Sequence, residues 1–301
     1  MKTEALKKHE ISELFLSIEG EARYTGRPTV YIRYARCNFS CARFNGGLAQ
    51  KDGYAALSFD PADYKTLNDI PLITRGCDSQ YAVNPAFSHM WQKLTVDELA
   101  ASVVELLPYN QWVYPSGMPV ILSLTGGEPT LRAKILAELL NNPQMKYCKH
   151  VLMETNCAVP LTWKFIGDIN QWLSADTTRK WTWSNSPKLS VSGEPWDKAI
   201  VPKIAMMQRG VSGKEFCNQV DQYFKFVCGP NEADFDEVAL AMGEYYAEGI
   251  PRDSDIYVMP VACTEEQQQE ISAQVARMCI ERGYIYCHRI QNSVFGNGVG
   301  T

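Results

Sequence analysis

The sequence lacks the features that mark several common protein classes. It has no run of about eighteen apolar residues, so we expect no membrane-spanning helix. Its N-terminal stretch MKTEALKKHEISELF has no uninterrupted apolar region and no small-residue cleavage site, so we expect a cytoplasmic protein. The net charge of −5 argues against a broad phosphate-binding surface. A small-molecule substrate is therefore expected, with neither nucleic acid nor membrane as a partner.

The sequence also gives little support for a zinc site or for a disulfide framework. His9, His89 and His150 are scattered, which disfavours a zinc site. The chain has ten cysteines, but in a reducing compartment these are not expected to form a disulfide framework. Seven of them have no ligand-like spacing and are expected to be core or surface residues. These are Cys148, Cys157, Cys217, Cys228, Cys263, Cys279 and Cys287.

Strands and helices alternate through most of the chain. The pattern predicts a strand at 30–35, an inserted loop or small lobe at about 42–76, and a helix at 95–107 that begins at a capping threonine. Further strands are predicted at 120–124, 150–154, 188–192, 223–228 and 255–261, with a short last one in YIYCHRI, and helices at 132–142, 162–173, 232–248 and 264–282. This alternation predicts one α/β domain over 1–301, built as a barrel or partial barrel around a parallel sheet.

Three unusual stretches follow predicted strands directly. They are CNFSC (37–41), TGGEP (125–129) and TNC (155–157). Because ligand-binding loops in such folds lie at the carboxyl ends of the strands, we expect the three to converge on one mouth.

Cys37 and Cys41 have the spacing of an iron–sulfur loop, but Phe44 stands where the third thiolate would be expected. Cys77, just beyond the irregular segment, is a candidate if residues 42–76 loop out. Closing a loop of that size costs about a few kcal/mol, which cluster bonding exceeds. The alternative is that all three are ordinary core cysteines.

TGGEP places two glycines directly after an apolar strand. Without Cβ atoms the backbone can approach a ligand closely, and Glu128 offers a carboxylate to an ammonium group. A tight strand-to-helix connection is the alternative explanation. The stretch lacks the G-x-G-x-x-G and G-K-[ST] patterns of nucleotide-phosphate sites.

Together, the cysteine loop and TGGEP resemble the radical S-adenosylmethionine superfamily. LSIEGEARYTGRPTVYIRYARCNFSC is similar to the TIQGEG…GRP…FIR…GCN…C opening of the 7-carboxy-7-deazaguanine synthases, and CDSQYA to their CD(T/S)xYA segment. ETN, SPK, FKFV and the closing FGNGVGT match in order, so the resemblance runs from about residue 12 to the end, interrupted at 42–76. The resemblance implies a partial (β/α)6 TIM-like barrel of the radical S-adenosylmethionine type, with the insertion inside the cluster-binding loop.

The resemblance also implies roles for particular residues. A 4Fe–4S cluster would be bound by Cys37, Cys41 and Cys77, and Mg²⁺ by Ser79. S-adenosylmethionine would be bound by Gly126, Gly127, Glu128, Glu154, Ser186 and Lys188. The substrate would be contacted by Ile18, Glu19, Gly20, Arg33, Thr125 and Thr301. Arg33 has an alternative reading, since an arginine inside a strand is often a salt-bridged barrel residue.

The chain departs from the family pattern at four places. Glu19 replaces Gln, Arg36 replaces Gly before the first cysteine, Cys157 follows Asn156 where Gly is usual, and Gln291 stands in place of His. These changes bear more on the substrate than on the cofactor.

The activity implied is radical-mediated ring contraction of 6-carboxy-5,6,7,8-tetrahydropterin to 7-carboxy-7-deazaguanine, with loss of ammonia. An electron donor such as flavodoxin and a homodimer are the expected partners. Two alternatives stay open. One is an activase that makes a glycyl radical on a partner protein, and the other is a catalytically silent relative used for binding.

Overall fold

The computed structural model describes residues 7–210, 218–296 and 298–300. Within these residues the strands form one nine-stranded sheet in the order β3-β1-β2-β4-β5-β6-β7-β8-β9. The strands are β1 (His9–Ile18), β2 (Pro28–Tyr34), β3 (Gln92–Leu94), β4 (Ile121–Gly126), β5 (His150–Thr155), β6 (Lys180–Asn185), β7 (Val220–Cys228), β8 (Ile256–Pro260) and β9 (Ile285–Tyr286).

The sheet is an open barrel. β1 pairs antiparallel with β2 and β3, whereas every pairing from β2 to β9 is parallel. The two edge strands, β3 and β9, do not pair with each other. Six parallel strands, β2 and β4 to β8, are each followed by helix, which confirms the predicted partial (β/α)6 barrel.

Helices cover the outer face of the sheet. They are α1 (Gln80–Val83), α2 (Val96–Leu106), α3 (Ala133–Leu140), α4 (Trp163–Ser174), α5 (Trp196–Ala199), α6 (Pro202–Arg209), α7 (Glu232–Glu248), α8 (Glu265–Arg282) and α9 (Ile290–Phe295). Capping boxes begin two of them, with Thr95 and Glu98 at α2 and Thr264 and Gln267 at α8. No described helix is long and apolar enough to cross a membrane.

The parallel strands are buried on both faces. In β4, Leu122 and Leu124 belong to the main core between sheet and helices, whereas Ile121 packs inside the barrel. Inside, Ile121 joins a smaller cluster with Leu152, Tyr223 and Tyr257. Residues that point inward from the carboxyl-terminal half of each strand therefore face a common interior, and this is where polar side chains collect.

Two of the strand predictions were wrong. The predicted strand at 188–192 is a loop with a 3₁₀ turn, and the strand lies earlier, at Lys180–Asn185. YIYCHRI contributes only Ile285–Tyr286, and its end begins α9. β1 and β3 were not predicted. The shift of β6 matters, because it places Ser186 and Lys188 after a strand, at the carboxyl-terminal edge.

Residues 42–76 form an irregular segment with 3₁₀ turns at Phe44–Gly46, Pro61–Asp63 and Leu67–Asp69. The segment has a small core of its own, in which Leu67 is buried with Phe87 and Trp91. Its two ends are joined by a backbone hydrogen bond from Gly76 N to Phe44 O of 2.8 Å. The segment therefore leaves and returns at the same place, as a loop-out requires. The single-domain organisation over 1–301 stays a prediction.

Candidate functional site

A cavity of about 300 Å³ opens at the carboxyl-terminal edge of the sheet and extends into the barrel. Eleven of the residues assigned to a site from the sequence line it, and they come from the ends of β2, β4, β5 and β6 and from the loops that follow. They are Arg33, Cys37, Cys41, Cys77, Ser79, Thr125, Gly126, Gly127, Glu154, Ser186 and Lys188. Ile18, Glu19, Gly20 and Glu128 are not in its lining. Thr301 lies outside the described residues.

The three cysteines assigned to the cluster lie together. Cys41 is buried in a small apolar cluster against which Cys37 and Cys77 pack. The loop that carries the first two is held from outside by Glu194, whose carboxylate accepts hydrogen bonds from the backbone N–H groups of Ser40 (2.9 Å) and Cys41 (2.8 Å). The return of the chain after residue 76 thus places Cys77 beside the other two thiols.

Three neighbouring thiols are a donor set of the kind that an iron–sulfur cluster requires, because each thiolate binds a different iron. Among the described residues, no three His, Cys, Asp or Glu side chains are grouped so that they could hold one metal ion. Burial raises the pKa of Cys37 to about 12 and that of Cys77 well above its usual value. Iron would therefore displace protons on binding.

Gly126 and Gly127 bring the cysteine loop against the end of β4. A Cβ at Gly126 would lie 2.1 Å from Tyr34 O, and one at Gly127 would lie 2.1 Å from Arg36 O. Gly127 N donates to Tyr34 O at 3.0 Å, and the next backbone N–H donates to Arg36 O at 2.9 Å. The glycines are needed for this backbone contact as well as for access to the cavity.

Glu128 faces the protein interior in this structure. Its carboxylate is fully buried and accepts hydrogen bonds from Thr130 N (3.0 Å), Thr130 Oγ1 (2.5 Å), Thr155 Oγ1 (2.8 Å) and Asn156 N (2.7 Å). These bonds tie TGGEP to the end of β5. Burial raises the pKa of Glu128 despite them. This geometry favours an indirect role, in which Glu128 positions the loops around the cavity.

Two departures from the family pattern fall at left-handed backbone positions. Arg36 has φ +78° and Cys157 has φ +59°. Glycine adopts these angles without a Cβ penalty, which explains why it is usual at both positions. Arg36 is held by hydrogen bonds to the Glu10 carboxylate (2.7 and 3.2 Å) and lies over the Trp91 ring. These contacts offset part of the cost of the backbone conformation.

Arg33 is both an ion-paired barrel residue and a residue of the cavity, so both interpretations of its sequence position apply. Its Nε lies 2.7 Å from Glu13 Oε2, so it is an ion-paired barrel residue. It also lines the cavity and donates from Nη1 to Ser79 Oγ at 3.1 Å. The Tyr81 hydroxyl donates to the same Glu13 carboxylate at 2.8 Å and fixes its position. The residues assigned to a substrate carboxylate and to Mg²⁺ are therefore adjacent.

The residues assigned to the nucleoside part of the cofactor lie on β5 and after β6. Glu154 accepts a hydrogen bond from Ser123 Oγ at 2.7 Å, and Lys188 Nζ donates to Ser186 Oγ at 3.1 Å. Glu154 also faces the charged inner end of the cavity, so this wall connects the mouth to the interior.

The inner end of the cavity carries an ion pair that the sequence did not single out. Lys225 on β7 is buried and pairs with Glu21. Burial is the largest single influence and opposes ionisation of both side chains. Their mutual attraction, together with Arg289 near Glu21 and Glu154 near Lys225, outweighs it, so the pKa of Glu21 is lowered and that of Lys225 is raised. The available signal was a lysine between apolar residues in YFKFVC (223–228).

Glu19 lies against this pair, but its pKa is shifted in the direction opposite to that of Glu21. Burial, and then the nearby Glu154 and Glu21 carboxylates, raise the pKa of Glu19 well above its usual value. Its Oε2 accepts from the Tyr31 hydroxyl at 3.0 Å. Next to it, Gly20 contacts the Gln291 side chain so closely that a Cβ would lie 1.7 Å from Oε1. A neutral Glu19 offers one donor and one acceptor, as the Gln usual at this position does.

Comparison with known proteins gives relatives of one kind. No model of a known protein family matches the sequence. The chain is 27% identical over 300 residues to the 7-carboxy-7-deazaguanine synthase of Rhodopirellula baltica, an alignment that covers 97% of this chain and 88% of that protein. It is 23% identical over 304 residues to the enzyme of the same name from Halobacterium salinarum, with 97% and 92% covered.

A solved structure has a similar fold. The crystal structure of QueE from Escherichia coli superposes with a TM-score of 0.50 at 16% sequence identity, over 93% of each chain. The resemblance inferred from the motifs is therefore confirmed along nearly the whole chain, and the structural similarity supports the open-barrel fold.

Proposed function

We propose that the protein is a radical S-adenosylmethionine enzyme of the 7-carboxy-7-deazaguanine synthase type. It converts 6-carboxy-5,6,7,8-tetrahydropterin to 7-carboxy-7-deazaguanine with loss of ammonia. One observation carries the proposal. The thiols assigned to the cluster line one cavity with five of the six residues assigned to S-adenosylmethionine and with Arg33 and Thr125 of those assigned to the substrate. These residues come from four strand ends and from both sides of a long insertion. The named relatives support the same activity.

The cofactors are held by residues at the mouth. Cys37, Cys41 and Cys77 bind a 4Fe–4S cluster, which with S-adenosylmethionine supplies hydrogen-atom abstraction when bound. Gly126 and Gly127 present backbone groups to the methionine part of the cofactor, and Glu128 keeps these loops in register. Glu154, Ser186 and Lys188 offer hydrogen-bonding groups to its ribose and adenine.

The substrate is held by the barrel interior. Arg33 provides a guanidinium for the carboxylate, and the adjacent Ser79 hydroxyl is a hard oxygen donor of the kind that Mg²⁺ prefers. Thr125, on the neighbouring strand, lies at the same level in register with Arg33. Ile18, Glu19 and Gly20 lie behind the inner end, where the carboxyl groups of Glu19 and Glu21 would accept hydrogen bonds from the donor-rich edge of the pterin ring. The assignment of Thr301 to the substrate rests on the family resemblance alone, because Thr301 lies outside the described residues.

An electron donor such as flavodoxin, a homodimer and a cytoplasmic location belong to the same proposal and rest on the family resemblance. An activase that acts on a partner protein would need an open groove for a peptide. A cavity of about 300 Å³ with a buried ion pair at its inner end suits a small polar ring better.

The direct test is anaerobic turnover. Protein with a reconstituted cluster is incubated with S-adenosylmethionine, a reductant and 6-carboxy-5,6,7,8-tetrahydropterin, and the deazapurine chromophore and ammonia are measured together. We expect both in equal amounts. A fully loaded cluster that cleaves the cofactor reductively but yields neither product would contradict the proposed function.

A further inference from the structure

The insertion supplies one wall of the cavity. Phe44 and Asn45 at its start and Ile70–Ile73 near its end are among the lining residues. We call Ile70–Ile73, with the sequence Ile-Pro-Leu-Ile, the apolar strip. The cavity is lined by a mixture of polar and apolar side chains, and the strip contributes four consecutive apolar residues to it.

The strip is fixed in place by packing on both sides. Ile70 and Ile73 pack into the small core around Leu67, and Val299 of the chain end packs against the same core. Directly after the strip, Thr74 O accepts a hydrogen bond from Gln267 Nε2 of α8 at 3.1 Å. These contacts attach the insertion to the barrel, so the strip stands over the cavity as a wall.

Leu72 is the most exposed leucine, isoleucine or valine of the strip. It is 50% exposed and lines both the cavity and a neighbouring smaller pocket formed within the insertion. Leu48, also in the insertion, is 74% exposed but is not among the lining residues. Part of the exposed surface of Leu72 is therefore available to a molecule in the cavity, whereas Leu48 is an ordinary exposed leucine.

Tyr81 connects the strip to the carboxylate-binding side of the cavity. Its ring packs against the same small core as Ile70 and Ile73. The ring also lies 5.9 Å from the Arg33 guanidinium carbon and lines the cavity. A planar ligand whose carboxylate is bound by Arg33 would thus have the strip beside its ring.

We propose that Leu72 packs against the face of the substrate's bicyclic ring and determines specificity for a flat heteroaromatic carboxylate. The inference rests on the proposed function and assigns the insertion a role in that site. The polar side chains of the cavity would hydrogen-bond to the edges of the ring. The strip would pack against the face of the ring, which offers no hydrogen bonds.

The test measures binding apart from turnover. Equilibrium dialysis of cluster-reconstituted protein with the oxidised, unreactive 6-carboxypterin gives an affinity for wild type, Leu72→Ser, Leu72→Met and the matched control Leu48→Ser. Removing apolar contact of about half a leucine should weaken binding about fivefold in Leu72→Ser. Leu72→Met, which restores an apolar side chain, and Leu48→Ser should bind as wild type does. Affinity for S-adenosylmethionine should be unchanged in all four proteins.

Two results would overturn the inference while leaving the proposed function in place. One is a Leu72→Ser affinity for 6-carboxypterin equal to that of wild type. The other is an equal loss of affinity for pterin and for S-adenosylmethionine, which would show a general distortion of the cavity. Failure of the wild-type protein to bind 6-carboxypterin at all would count against the proposed function itself, and the inference would fall with it.

Discussion

Glu19 shows how a single departure from a family pattern can preserve the chemistry. The side chain is 3% exposed and lies near the carboxylates of Glu21 and Glu154, so a third negative charge there is strongly disfavoured. A protonated Glu19 would have one donor and one acceptor, as Gln does. The burial that raises this pKa depends on the folded barrel and is not visible in the sequence.

We therefore expect Glu19→Gln to keep wild-type affinity for the carboxytetrahydropterin at neutral pH. As pH rises through the raised pKa of Glu19, wild-type activity should fall because a buried charge appears, whereas Glu19→Gln should not follow that fall. Steady-state kinetics across pH measure the difference.

Glu21→Gln, the same chemical change two residues away, is the control for Glu19→Gln. Glu21→Gln leaves Lys225 buried without its partner, which should cost about 3–5 kcal/mol in the free energy of unfolding. Identical pH profiles for wild type and Glu19→Gln would show that Glu19 does not titrate in the site.

At the scale of elements, the strand-and-helix alternation predicted most of the barrel, but β6 was misplaced. KWTWSN and KLSVS both alternate apolar and polar residues. In the fold, Trp181 and Trp183 enter the main core, whereas the second stretch turns at Gly193 with φ +86°. The turn brings Glu194 to the cysteine loop, and this long-range contact leaves no local signal in the sequence.

The turn that leads from β2 into the cysteine loop contains a non-glycine residue with a left-handed backbone conformation. Arg36 adopts φ +78°, an angle that costs about 1–2 kcal/mol for a residue with a Cβ. Arg36→Gly and Arg36→Ala both lose the ion pair with Glu10 and the contact with Trp91. The pair of variants therefore isolates the backbone effect.

We expect Arg36→Gly to be more stable than Arg36→Ala by about 1 kcal/mol, reduced somewhat by the greater freedom of glycine in the unfolded chain. Urea midpoints of the two variants give the comparison. Equal stability, or greater stability of the alanine variant, would show that the turn rearranges and that the left-handed angle is not retained.

At the scale of the whole molecule, the sequence located the insertion but could not assign its role. Gly, Asp, Pro and Tyr scattered through 42–76 marked it as irregular, and CDSQYA marked its end. Which wall it forms depends on the small core around Leu67 and on the hydrogen bond from Gln267, contacts between segments far apart in sequence. For the same reason, the Glu21–Lys225 pair was visible only once β7 had been folded against the first loop.

The assignment of the cluster ligands depends most on Cys77, which the insertion separates from Cys37 and Cys41 in sequence. Iron and sulfide content, with the absorbance of the reconstituted cluster, tests it in Cys77→Ala against Cys263→Ala. Cys263 is a matched control, because it also lines the cavity and has no assigned ligand role. We predict about four irons per chain in Cys263→Ala and loss of most of the cluster in Cys77→Ala. A normal 4Fe–4S spectrum in Cys77→Ala, or loss of the cluster in Cys263→Ala alone, would contradict the account.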